Sequence, residues 1–165
     1  MKKLILAASI AAAVAGLSAP LQAATVNSNF TVSVTLDARC TANNSGTQTV
    51  NFGTYTAFGA AVTAPNVNLT FDCTRNLAAP TVGFDTGSAY GVLAGLNYQL
   101  TNGAPSKTTT GTAATAVAGG IGSADTWTVA VGGTMAANQA GDCAGGTQTS
   151  CNTATTATRT LILTY

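Results

Sequence analysis

The chain has no histidine and no glutamate, and charged residues make up only 7% of its 165 residues. Each shortage removes a class of function. Without histidine there is no Ser-His-Asp or Cys-His catalysis, and most zinc sites lose their usual ligand. Without glutamate every acid is one of five aspartates, scattered along the chain, so a paired acid/base site is hard to build. Calcium would want several carboxylates within a dozen residues, and none are so grouped. A formal net charge of +1 excludes a polycationic nucleic-acid binder. The scarcity of charged helix formers argues against a helical bundle. No catalytic residue, metal or cofactor is expected.

What is abundant is threonine, with 30 copies, together with 18 glycines and much valine, asparagine and serine. Such a composition keeps a surface wet without charge and favours strands. The length suits one domain of ordinary size.

The first residues read as an address. Met1-Lys2-Lys3 is a positive leader, Leu4 to Leu17 is apolar, and Ser18-Ala19-Pro20-Leu21-Gln22-Ala23 supplies small residues and a helix breaker. That order is a secretory signal peptide, residues 1–23, cleaved after Ala23. The apolar run is shorter than the roughly 18 to 20 residues needed to span a bilayer. The mature chain is therefore expected to be exported, without a transmembrane segment. It keeps Arg39, Arg75, Lys107 and Arg159 against Asp37, Asp72, Asp85, Asp125 and Asp142, with no two of these charges obviously paired. Export places Cys40, Cys73, Cys143 and Cys151 in an oxidising compartment. Four cysteines permit three pairings. Cys40–Cys73 and Cys143–Cys151 are favoured, because the first links strand-like runs and the second closes a short Gly/Thr loop. Loop entropy assigns them roughly 4 and 2.5 kcal/mol.

From Thr25 to Leu36 the even positions read Val26, Ser28, Phe30, Val32, Val34 and Leu36, and the odd ones are all Thr, Asn or Ser. Only Ser28 breaks the alternation, so the period predicts a long strand with one apolar face, placed ahead of the first cysteine. Further strands are expected at Thr47–Tyr55, Val67–Cys73, Thr81–Phe84, Leu93–Leu100, Thr126–Val131 and Arg159–Tyr165. Leu161, Leu163 and Tyr165 of the last face one way. Ala104–Ala124 and Gly132–Thr158 are rich in Gly, Ala and Thr and read as loops. Six or seven short strands with such loops predict an antiparallel β-sandwich.

Three local motifs have functional alternatives. Phe84-Asp85-Thr86-Gly87-Ser88 matches the signature of an aspartic protease, but one copy would serve only in a dimer; a turn after the strand is the simpler reading. Asn29-Phe30-Thr31 and Asn68-Leu69-Thr70 fit the glycosylation sequon, as expected by chance in so Asn- and Thr-rich a chain. Trp127, Tyr55, Tyr90 and Tyr98 could line a sugar-binding face, although such aromatics more often fill a sandwich core. A self-contained secreted β-sandwich that binds carbohydrate or a surface partner is thus one alternative function.

A broader pattern joins these parts. The leader, the alternating N-terminal strand, Cys40, the segment Val50-Asn51-Phe52-Gly53-Thr54-Tyr55, the strand Leu69-Thr70-Phe71-Asp72-Cys73 and the terminal Leu161-Ile162-Leu163-Thr164-Tyr165 together resemble the spore coat protein U domain. That domain occurs in subunits of archaic chaperone–usher pili. The family often carries Tyr and Asp just before the last strand, where this chain has Thr-Ala-Thr-Arg. The resemblance implies an incomplete immunoglobulin-like antiparallel β-sandwich, residues 37–165, preceded by a donor-strand extension, residues 24–36. A periplasmic chaperone would fill the groove left by the missing strand, and an outer-membrane usher would exchange it for the extension of the next subunit. The implied product is a head-to-tail surface fibre of identical or related subunits, a pilus supporting adhesion and biofilm formation. Val26, Phe30, Val32, Val34 and Leu36 would enter the neighbour's groove, with Ser28 at a shallow or tight pocket. Leu161, Leu163 and Tyr165 would line the acceptor groove, Tyr165 also meeting the chaperone.

Overall fold

A computed structural model describes residues 25–143 and 155–165. Residues 1–23, expected to be a signal peptide, and Cys151 lie outside these residues. The chain divides into two units, Met1–Thr35 and Leu36–Tyr165. Among the described residues there is no helix, and hence none long and apolar enough to cross a membrane.

The larger unit is all-β and antiparallel, a sandwich-like fold of two sheets. The strands are β1 (Cys40–Ala42), β2 (Val62–Cys73), β3 (Thr81–Phe84), β4 (Tyr90–Leu93), β5 (Leu96–Asn102), β6 (Ser106–Thr109), β7 (Asp125–Met135) and β8 (Leu161–Thr164). The large sheet runs β1-β2-β7-β5-β4, with β6 also on β7; β3 and β8 form the small sheet. Its spine is the β2–β7 ladder, in which Phe71 faces Trp127 and Leu69 faces Val129. Alternation explains the spine: Val67, Leu69, Phe71 and Cys73 share one face of β2, while Trp127, Val129 and Val131 share one face of β7. Phe71, Cys73, Trp127, Val129 and Val131 form one buried cluster, roofed by Val82, Phe84, Leu161 and Leu163 of the small sheet. Leu96, Tyr98, Leu100 and Met135 form a second, covered by Phe52, Tyr55, Phe84 and Leu93.

The expected disulfide Cys40–Cys73 is present and pins β1 to the end of β2. Just outside it, Thr74 N–H donates to the Arg39 carbonyl at 2.8 Å, and Arg39 N–H donates to Thr74 Oγ1 at 2.9 Å. Cys143 is disulfide-bonded; its expected partner, Cys151, is among the residues outside the description.

Several segments differ from the sequence expectation. Leu93–Leu100 is not one strand: Ala94 and Gly95 both take positive φ, 51° and 68°, and reverse the chain between β4 and β5. Asn102-Gly103 does not reverse it. Instead β6 continues along the edge of β7, inside what reads as a loop, because its polar sequence carries no apolar period. β7 runs on through Gly132-Gly133, which read as loop. At Gly133 a Cβ would lie 2.9 Å from both the Gln99 carbonyl and Phe52 Cζ, so glycine is the residue that lets Phe52 lie on the strand. β2 begins earlier than expected, with a bulge between Ala64 and Val67 that accommodates Pro65. Thr47–Tyr55 and Thr25–Leu36 join no sheet.

Candidate functional site

The chemistry-bearing feature is an open side of the sandwich. β8 pairs with β3 along one edge, and among the described residues its other edge pairs with nothing. Leu161 and Leu163 are only half-buried although they sit on the first core cluster. The backbone of residues 46–55 likewise joins no ladder among the described residues, yet Val50 packs on both clusters and Phe52 on the second. Asn44 explains why pairing stops there. Its Oδ1 accepts Thr70 N–H at 2.9 Å and its Nδ2 donates to the Asn68 carbonyl at 3.1 Å, so a side chain replaces the next backbone rung and releases the chain from β2. Val50 of one unpaired backbone and Leu161 and Leu163 of the other thus pack on the same apolar cluster. Tyr165, grouped by sequence with Leu161 and Leu163, lies just past β8, 55% exposed and outside both clusters.

In the smaller unit and at its junction, the side chains that read as one apolar face have no cover. Val26 is 92% exposed, Phe30 86%, Val32 83%, Val34 91% and Leu36 78%. Large exposed apolar runs in soluble proteins mark interaction surfaces. A strand-length alternation with open backbone groups is suited to joining a sheet edge.

β8 is held at its N-terminal end by Arg159. Its Nε donates to Asp85 Oδ1 at 3.0 Å, Nη2 to the Ser88 carbonyl at 2.8 Å and to Thr86 Oγ1 at 3.0 Å, and Nη1 to the Tyr90 carbonyl at 3.2 Å. Nη1 also reaches Tyr98 Oη at 3.5 Å. The Tyr98 hydroxyl, followed by Asp85, raises the Arg159 pKa above its ordinary value. The guanidinium is the main cause that holds the Asp85 carboxyl below its usual range. Asp85 Oδ2 accepts Thr160 N–H, and Gly87 N–H closes a turn on the Phe84 carbonyl at 2.9 Å. The Asp-Thr-Gly-Ser motif is thus a turn whose carboxylate ties β3 to β8.

A second ion pair also escaped sequence reasoning, since its partners are far apart in the chain and neither has a local signature. Asp125 is fully buried. Its Oδ2 accepts from Lys107 Nζ at 2.7 Å and Asn76 N–H at 2.9 Å, and its Oδ1 from Gly111 N–H at 2.7 Å. Lys107 first, then the Gly111 N–H, hold the Asp125 pKa down at about 2. The charges that looked unpaired in sequence are therefore paired across the fold in these two cases. Lys107 Nζ also lies 5.1 Å from the centre of the Trp127 ring.

The four aromatics considered for a sugar face are not gathered. Trp127 and Tyr98 are core residues, Tyr55 spends its hydroxyl on the Ala136 carbonyl and Gln139 N–H, and only Tyr90 is largely exposed. Among the described residues no three Cys, Asp, Glu or His side chains lie together as a metal group. No family model, characterised protein or solved structure matches the chain.

Proposed function

We propose that this chain is an exported structural subunit of a surface fibre, a pilus, polymerised head to tail by donor-strand exchange. The observation that carries this reading is a complementarity. One end of the chain exposes an alternating apolar strand, and the sandwich leaves the edge of β8 unpaired over half-buried Leu161 and Leu163. Strand addition at an open edge uses backbone ladders for affinity and alternate side chains for register. Five apolar side chains at roughly 1.5 to 3 kcal/mol each would supply about 7 to 15 kcal/mol before ordering costs. A link between one copy's end and another copy's groove is heterologous and does not close, so it propagates as a filament.

The same exposed groove and strand account for the partners that the spore coat protein U resemblance implies. A subunit with this apolar surface needs a periplasmic chaperone to cover it and an outer-membrane usher to exchange that cover for the next extension. A neutral, Thr-rich coat suits close packing of identical copies, since it avoids like-charge repulsion.

Deletion of residues 24–36 tests the proposal. The truncated chain should fold, fail to polymerise, and bind an added peptide of residues 25–36. A folded truncated chain that ignores the peptide would refute donor-strand exchange.

A further inference from the structure

The core contains one buried side-chain polar atom with no hydrogen-bond partner among the described residues, the Nε1 of Trp127. An orphaned buried donor is costly, so such groups are rare in finished cores. Lys107, whose Nζ lies 5.1 Å from the centre of the Trp127 ring, is itself only a donor and cannot accept the indole N–H. The N-terminal strand has the converse irregularity: Ser28 is the single polar residue on its apolar face.

Position brings the two together. Leu161 and Leu163 both pack on the first cluster, which contains Trp127, but Phe84, opposite Leu161, also packs on the second, whereas Val82, opposite Leu163, packs on the first alone; Arg159, ahead of β8, reaches Tyr98 of the second. The C-terminal half of β8 therefore lies at the Trp127 end of the core. Every ladder among the described residues is antiparallel. A strand added to β8 in the same sense places its early residues, Val26 to Phe30, beside Leu163 and its late residues beside Arg159. Ser28 then arrives at the Trp127 end.

We infer that Ser28 of an incoming copy accepts the Trp127 indole N–H and thereby sets the register of the inserted strand. The inference rests on the donor-strand reading above. A slip by two residues would keep an apolar face inward but leave the indole unpaired and bury the Ser28 hydroxyl against hydrocarbon. The polar pair thus rejects registers that hydrophobicity alone tolerates, and it specifies this subunit's own extension as the preferred ligand.

Trp127 is the only tryptophan, so indole spectroscopy reports on it alone. The full-length chain is titrated with an excess of the synthetic peptide of residues 25–36, and with its Ser28→Thr and Ser28→Val forms. The indole N–H is followed by ultraviolet resonance Raman and hydrogen exchange. The native and Ser28→Thr peptides should convert the indole from unbonded to hydrogen-bonded. Ser28→Val should bind roughly tenfold more weakly and leave the indole unbonded. If Ser28→Val binds as well as the native peptide, or produces the same indole change, the pairing is wrong while donor-strand exchange stands. An indole already hydrogen-bonded before peptide is added also overturns the pairing. If no peptide binds at all, the donor-strand reading itself fails.

Discussion

Arg159 Nε lies 3.0 Å from Asp85 Oδ1, joining a residue two positions before β8 to the residue after β3. With its other two nitrogens the same guanidinium holds the carbonyls of Ser88 and Tyr90. One planar cation thus ties the small sheet to the start of β4 in the large one. Replacing it by alanine strands several acceptors at once.

Arg159→Ala should lower the melting temperature by about 5 °C or more, and Arg159→Lys should recover only part of the loss. A lysine can keep the charge near Asp85 but cannot reproduce the planar fork. Thermal denaturation of the two variants beside the parent chain checks this. Equal stability of the lysine variant and the parent would show that charge, not geometry, holds β8.

Acid stability should follow Asp125. Its carboxyl titrates at about 2 in the fold against an ordinary value of 3.8. A depressed folded pKa stabilises the fold above the unfolded value and loses that contribution as pH falls through the folded one. Asp85, also lowered, acts in the same direction. Urea midpoints should be level near neutrality and fall between about pH 4 and pH 2. Asp125→Asn should be less stable at pH 7, because Lys107 loses its counter-charge, and should show a shallower acid limb.

These ion pairs also show where sequence reasoning stops. Val67, Leu69, Phe71 and Cys73 announced their shared face by period alone, and Thr81–Phe84 was legible as a strand to the residue. The alternation of Leu161 and Leu163 marked the inner face of β8 but not which of its edges is left unpaired. Arg159 and Asp85 were not legible together, because a 74-residue separation carries no periodic signal and the Asp-Thr-Gly turn suggests only local bonding. Asp125 looked like a polar strand start, yet Lys107, Gly111 and Asn76 converge on it from three separate loops and edges. The Thr47–Tyr55 stretch has strand composition and sits on the core, but strand composition does not supply a neighbour to pair with.

The Cys40–Cys73 disulfide should matter more for stability than its edge position suggests. It closes a loop with a sequence separation of 33 residues and anchors the base of the N-terminal extension beside Arg39 and Thr74. Replacing both cysteines by alanine should cost about 3 to 4 kcal/mol of unfolding free energy. Chemical denaturation under oxidising conditions measures it. A double variant as stable as the parent would mean that β1 is held by its ladder alone.

Phe30 separates folding from assembly. It is 86% exposed, so the fold of a single chain should not depend on it. In the proposed filament it fills a neighbour's groove, where removing a buried aromatic side chain costs about 3 to 5 kcal/mol. Phe30→Ser should therefore leave the melting temperature of the monomer unchanged while shortening or abolishing filaments seen by negative-stain electron microscopy. Asn29→Ser, on the polar face of the same segment, should leave both unchanged. Leu163→Ser on the acceptor side should also abolish filaments, but with loss of stability, because Leu163 already covers the Trp127 cluster in the isolated subunit. The asymmetry between the two ends is the signature of donor-strand exchange: a donor residue that matters only between subunits, and an acceptor residue that matters within and between them. Normal filaments from Phe30→Ser would remove the extension from the assembly contact.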